Sequence, residues 1–252
     1  MKKSILLSIF IIVSHQLIYA QGDNLNTTAV KHFKQYVQIG YNIGGLTPFP
    51  LPNTIRKIES FSPGFSPSVD YEVAYRLNKK WNISASLRFD IKGMKITDSV
   101  QYFHTLITMD SSNFEGDFTG TNKTICKNAY LTLPITIAYS AKDNWRYKLG
   151  IYAAYLVHPS FSGTVSNGYI RKGTSLGEQV NIDTATFNFY DKERKFDWGF
   201  TAGVEKRFLK TFAATGQLQW GMRPVFPSAF KGIGFKMTNI FFTLGVKKEL
   251  FN

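Results

Sequence analysis

A strict two-residue alternation recurs along this chain and constrains its fold more than any other feature. In FSPSVDYEVAYRL the positions Phe65, Val69, Tyr71, Val73, Tyr75 and Leu77 are apolar or aromatic, while Ser66, Ser68, Asp70, Glu72 and Arg76 are polar. After Asn78-Lys79-Lys80 the pattern resumes, with Trp81, Ile83, Ala85, Leu87, Phe89 and Ile91 set against Asn82, Ser84, Ser86, Arg88, Asp90 and Lys92. Successive side chains of a strand point to opposite faces, so this stretch reads as a hairpin with one greasy and one polar face. The same period runs through 35–45, 129–140, 145–157, 196–206, 211–222 and 238–248. With the hairpin these make eight strands, each of the length a tilted strand needs to cross a bilayer.

The connections alternate too. Three are a few residues long, near 78–80, 141–144 and 207–210; the others, 46–64, 93–128, 158–195 and 223–237, are long and rich in Asn, Ser, Thr, Gly and Pro. The expected fold is all-β: an eight-stranded antiparallel up-and-down transmembrane β-barrel with short periplasmic turns and long extracellular loops. Before it, Lys2 and Lys3 precede the apolar run ILLSIFIIV, and Ala20 stands just before Gln21. That order predicts a secretory signal peptide over 1–20, cleaved near Ala20-Gln21. A short periplasmic segment over 21–30 and the barrel domain over 31–252 follow, in the outer membrane. Beyond the signal peptide no run of 18 apolar residues occurs, which excludes a helical span. Cys126 is the only cysteine, so an intrachain disulfide is excluded.

Alternation alone admits a soluble lipocalin-like barrel with its greasy face inward. Three features favour lipid outside. Aromatic residues flank the short turns, Tyr75 with Trp81 and Tyr139 with Trp145, as in an interfacial girdle. Strand glycines such as Gly40, Gly150, Gly203 and Gly245 fall on the polar parity, where a narrow lumen needs room for large polar neighbours. A three-residue turn at 78–80 sets Leu77 opposite Trp81 and Asp70 opposite Arg88, an ion pair on the inner face. The expected lumen network is Asp70, Glu72, Arg88, Asp90, Gln217, Gln219, Arg223 and Tyr152. Pro134, inside the strand AYLTLPITIAYS, has no N–H to give a ladder and no free edge to hide on. Its parity puts it inside, opposite Tyr152, and a bulge or a locally missing rung is expected there.

The charge excess is localised. The whole sequence carries 30 Lys and Arg against 17 Asp and Glu; without Lys2 and Lys3 the balance is 28 against 17, a net +11. Basic residues gather near the short turns and the termini: Lys79, Lys80, Lys142, Arg146, Lys206, Arg207, Lys210, Lys247 and Lys248, with Lys31, Lys34, Arg76 and Lys148. Only Asp143, Glu205 and Glu249 stand against them. A periplasmic basic rim meets lipid headgroups by snorkelling; the sharper reading is that it docks an acidic periplasmic protein. The expected partners are thus outer-membrane lipid, lipopolysaccharide and phospholipid, and that protein, with no nucleic acid and a monomeric barrel.

With SPGFSPSVDYEVAYRLNKKWNISASLRF and YLTLPITIAYS in view, the chain resembles the PorT-like family of small outer-membrane β-barrels. The first stretch matches in its strand-turn-strand with a tryptophan opening the second strand; the second matches a recurrent Y-x-x-x-P-hydrophobic strand. The resemblance implies an eight-stranded barrel in the outer membrane of a Gram-negative cell. The family's namesake is associated with type IX secretion and gliding. The penultimate Phe251 departs from barrels that finish on an aromatic residue.

Chemistry is sparse. His158 lies near Ser160 and Ser162, but no strand carboxylate is forced beside it, so no catalytic residue is assigned. Histidines and the one cysteine show no metal-ligand spacing, and DSSNFEGD at 110–117 lacks the alternating carboxylates of a calcium loop. No cofactor or metal residues are assigned. The leading expectation is a non-enzymatic structural or interaction component of a secretion or surface assembly, its lumen plugged by side chains. A narrow solute channel, a barrel hydrolase and a soluble lipocalin-like binding barrel are the alternatives.

Overall fold

The computed structural model describes residues 32–109 and 112–250. The expected signal peptide, the 21–30 segment, Lys31 and Phe251 lie outside the described residues. The strands are β1 (Phe33–Thr47), β2 (Ile55–Ser62), β3 (Pro67–Arg76), β4 (Trp81–Met109), β5 (Ser112–Ser140) and β6 (Trp145–His158), then β7 (Phe161–Lys172), β8 (Gln179–Asn188), β9 (Phe196–Arg207), β10 (Phe212–Gly221) and β11 (Thr238–Glu249). That is eleven strands among the described residues, where the alternation predicts eight.

Antiparallel pairing closes a circuit in the order β1-β3-β4-β5-β6-β9-β10-β11 and back to β1, so none of these strands is left as an open edge near the short turns. The other three, β2, β7 and β8, lie in segments expected to be loops, as do Gly93–Met109 of β4 and Ser112–Asn128 of β5. There β2 pairs with β4, β7 with β5 and β8 with β7, and a Thr108↔Thr186 pairing brings β8 back to β4. Three of the four long connections thus build a β extension of the barrel wall, and the fourth, 223–237, pairs with it among the described residues through a single Thr105↔Ile233 bridge.

The short turns behave as their residues require. Leu77 N–H donates to Trp81 O at 3.0 Å, and the Asn78 side-chain oxygen accepts from the backbone N–H groups of Lys80 and Trp81 at 2.9 Å each. Asp70 consequently stands opposite Arg88, as the turn length predicts. Asp143 and Asn144 take φ of 57° and 63°, the left-handed region that Asp and Asn tolerate, and Tyr139 faces Tyr147.

Around the circuit the greasy parity points outward: Ile39, Val69, Ile83, Ile135, Leu149, Phe200 and Leu244 are all exposed. The polar parity is buried inside. Beyond Lys92 this order inverts. Met94, Val100, Phe103, Ile107, Phe118, Phe161, Val165, Ile170 and Phe187 face inward and form an apolar core inside the extension. A register shift between Val100 and Phe103, with Tyr102 at φ 53°, moves the inward parity of β4 from even to odd positions on the way.

Pro134 is buried on the inner face opposite Tyr152, as expected. The bulge is not there. Pairing with β6 runs through Pro134 without a shift, and pairing with β4 lapses between Ala85↔Ile135 and Arg88↔Thr132 with its register unchanged. A missing N–H removes hydrogen bonding but inserts no residue, so the wall keeps its register and loses rungs.

Candidate functional site

The inward side chains form stacked tiers. Nearest the short turns, Glu249 accepts from Lys34 at 2.5 Å and Arg207 at 3.3 Å. Next, Glu72 on β3 takes Lys148 from β6 at 2.6 Å and Lys247 from β11 at 2.8 Å. Glu205 on β9 binds the same Lys247, with Lys148 at 3.3 Å and Arg146 at 3.4 Å. The Tyr36 ring lies 5.0 Å from the Lys247 ammonium, adding a cation–π contact. Strands from opposite sides of the circuit are thereby tied through its centre.

The third tier is the pair read from the sequence. Arg88 donates from Nε and Nη2 to Asp70 Oδ2 at 2.8 and 2.7 Å, and Nη2 also reaches Gln217 Oε1. Gln217 passes the chain on, donating to Thr201 Oγ1 at 2.7 Å. Above it, Asp90 accepts from Thr132 at 3.0 Å and Asn42 at 3.4 Å, while Asn42 accepts from Thr243 at 2.6 Å. In the last tier Asp197 accepts from Tyr152 at 3.1 Å and Asn239 at 2.9 Å. Lys92 there is 1% exposed, its ammonium 5.0, 5.3 and 5.6 Å from the rings of Tyr130, Tyr152 and Phe241.

Of the eight expected network residues, Asp70, Glu72, Arg88, Asp90, Gln217, Gln219 and Tyr152 are buried inside the circuit. Arg223 is not among them. Strand β10 ends at Gly221, so Arg223 escapes its parity; its guanidinium stacks over Phe196 and donates to the Phe196 carbonyl at 3.4 Å.

The expected basic rim divides. Lys79, Lys80, Lys142, Lys210 and Lys248 are exposed, and Lys206 and Arg207 are half-buried. Lys247, buried among Glu72 and Glu205, is not a rim residue, and Arg146 leans inward to Glu205. Parity decides this: Val246 faces out, so Lys247 must face in. Lys148, Glu205 and Lys92 are network members that proximity to a turn or a loop obscured, though their parity marks all three. Arg88, Lys92, Arg146, Lys148 and Lys247 are balanced by Asp70, Glu72, Asp90, Asp197 and Glu205, so these inward groups carry no net charge.

Of the aromatic residues beside the short turns, Tyr75, Trp81 and Trp145 are exposed, Tyr139 is half-buried, and the Trp81 and Tyr139 rings lie 5.0 Å apart. Lys206 Nζ sits 4.7 Å from the Trp145 ring. His158 is exposed, with Ser160 and Ser162 half-buried. Cys126 is buried in the extension core, and burial pushes its thiol up. His104 lies between Asp117 at 3.0 Å and Glu115 at 3.3 Å, two carboxylates from the 110–117 stretch.

No curated protein matches the sequence. Among solved structures, the chain is similar to Ail, the attachment invasion locus protein of Yersinia pestis, with 10% identity and a TM-score of 0.39 over 86% of this chain and 98% of that one. It is also similar to the Neisserial surface protein A, with 10% identity and a TM-score of 0.29 over 87% of this chain and 98% of the other. The family model described as outer membrane protein beta-barrel domain matches residues 19–227, most of the chain. The chain belongs to the outer membrane protein beta-barrel domain family, and it is an outer-membrane β-barrel protein.

Proposed function

We propose that this protein is a non-enzymatic structural or interaction component of the outer membrane, in which an ion-paired lumen closes the membrane passage and the β-built extension is displayed outside the cell. The observation that carries the reading is the tiered network. Arg88, Asp70, Glu72 and Lys247 have side chains only 2–6% exposed, and they are bonded across the interior to partners on other strands. A passing ion would have to break several such contacts, each in a medium far less polarisable than water. In this reading the eight-strand circuit crosses the bilayer. Its outward Ile, Leu, Val and Phe meet lipid, and the short turns face the periplasm.

The exposed Lys79, Lys80, Lys142, Lys210 and Lys248 then meet lipid headgroups, and they offer a docking face for an acidic periplasmic protein. Residues 1–20 act as the signal peptide, cleaved near Ala20-Gln21. The hairpin at 62–89 and the strand YLTLPITIAYS support a place near the PorT-like proteins, in a secretion or surface assembly.

Planar-bilayer recording on the mature protein tests the closed lumen: no steady conductance is expected, and unitary steps in every insertion would refute it. Charge reversal of Lys79, Lys80, Lys142 and Lys210 to Glu tests the docking face. If insertion and every co-purifying protein stayed the same, the docking face would be wrong.

A further inference from the structure

Within the extension, a cavity of about 60 Å³ lies among Met94, Phe103, Phe161, Phe187, Phe189 and Met237. Its walls are apolar except where Asp98, Asn122, Thr105 and Thr124 enter. Such a pocket, greasy with a few convergent polar groups, is the usual form of a small-molecule site. The polar groups are unusually arranged. Asn122 donates to Asp98 Oδ1 at 2.8 Å and to Thr124 Oγ1 at 3.2 Å. Both of its donated bonds thus go to cavity-wall acceptors, which fixes the amide orientation.

That leaves one buried acceptor without a donor, beside a carboxylate without a countercharge. Asn122 is only 5% exposed, and its Oδ1 atom has no hydrogen-bond partner among the described residues. Asp98 is 4% exposed and has no cation within ion-pair distance among the described residues. Burial pushes its carboxyl up to about 6, and the Asn122 bond only partly offsets this. A buried carboxylate with no countercharge beside an unpartnered carbonyl, under five phenylalanine rings counting Phe235, makes a site of one sign. An ammonium has three donors and no acceptor, and aromatic faces attract it. A carboxylate ligand would meet two acceptors, and a hydroxyl would leave the charge uncompensated.

We infer that this cavity binds a small primary amine, with its ammonium on Asp98 and Asn122 Oδ1 and its short apolar body among the phenylalanines. Size sets the limit. A cavity of roughly 150 Å³ takes a benzene, so this one encloses the ammonium and a few carbons. A longer body would extend past the half-buried wall residues Pro48, Ile55 and Ile233. The site is separate from the ion-paired lumen, so it stands or falls independently of whether the barrel conducts.

The test uses the full mature protein refolded in detergent micelles with methyl-labelled methionine, observed by NMR. Met94 and Met237 line the cavity and report on it; Met222, exposed at the end of the circuit, reports non-specific effects. The probes are n-butylammonium, n-butanol and butyrate at pH 7.5. The expected result is saturable shifts of Met94 and Met237 with n-butylammonium, with a dissociation constant on the order of 1 mM. Met222 should stay unmoved, butyrate should have no effect, and Asp98→Asn should bind at least tenfold more weakly. Silence of both methyls toward n-butylammonium in the wild-type protein would overturn the inference. So would equal binding of n-butanol, or undiminished binding by an Asp98→Asn protein whose free spectrum shows it folded. The wild-type comparison of three probes decides the matter even if the variant does not fold.

Discussion

The Arg88–Asp70 pair gives the sharpest test of how this barrel is held together. The two side chains are 2% and 4% exposed and share two hydrogen bonds of 2.7 and 2.8 Å, and Gln217 takes a third. Replacing Arg88 with Met removes the partner and leaves Asp70 as an uncompensated charge in a confined interior, which costs about 3–5 kcal/mol. The Asp70→Asn, Arg88→Met double variant removes both charges, so it should lie within about 1–2 kcal/mol of the wild type. Urea unfolding in micelles is readable through the four tryptophans, Trp81, Trp145, Trp198 and Trp220, all of which face outward on the circuit. A double-mutant cycle from those curves should give a coupling of at least about 2 kcal/mol. If the single and double variants lost the same stability, Asp70 would not depend on Arg88 for compensation and the network reading would fail.

Asp98 gives a pH signature. Its folded-state pKa, about 6, lies above its ordinary value of 3.8, so the folded protein binds the proton more tightly than the unfolded chain. Stability is therefore fully present below about pH 4 and declines as pH rises through about 6, by roughly 3 kcal/mol. Asp98→Asn should abolish this decline and gain that amount at pH 7.5 but nothing at pH 3.5, in unfolding titrations at the two pH values. Pro134→Ala should change stability by no more than about 1 kcal/mol, whereas Leu133→Pro, on the outward face, should cost about 3 kcal/mol or more. A loss above 2 kcal/mol for Pro134→Ala, on the order of two net hydrogen bonds, would show that the proline does more than fill the inner face. Phe161→Ala, in the extension core against Phe189 and Phe226, should cost about 3–5 kcal/mol locally. Hydrogen exchange should then rise in β7 and β8 while β1, β3 and β9–β11 stay protected; equal loosening of both regions would mean that they unfold as one unit.

Legibility followed the environment on the outside of the wall. Where lipid-compatible residues alternate with polar ones, the period-two pattern identified every strand of the closed circuit, and three-residue turn geometry was enough to pair Asp70 with Arg88. It also placed Pro134 opposite Tyr152. It failed at Arg223, because parity holds only as far as the strand does, and β10 stops at Gly221. A rim position for Lys247 fails because its strand parity turns the side chain inward to Glu72 and Glu205 despite the nearby chain end. Of the two outcomes expected at Pro134, a bulge or a missing rung, the wall shows the missing rung, because losing an N–H removes a bond without inserting a residue.

The all-β class, the greasy outer face, the short turns and the inward parity of Asp70, Glu72, Arg88, Asp90, Gln217, Gln219 and Tyr152 can be read from the residues alone. All of these rest on local rules: alternation, turn chemistry and the sign of a side chain's preference for water. The long connections, by contrast, take their form from pairings distant in sequence. Gly93–Met109 and Ser112–Asn128 continue the strands of the wall, but with their apolar residues turned inward, and β7 and β8 cover them to make the core that contains Asp98 and Asn122. The physical reason is a change of solvent along a single strand. Beside lipid-facing residues a polar interior is permitted; past Lys92 the apolar side chains pack on one another, and strand pairings distant in sequence are needed to enclose them.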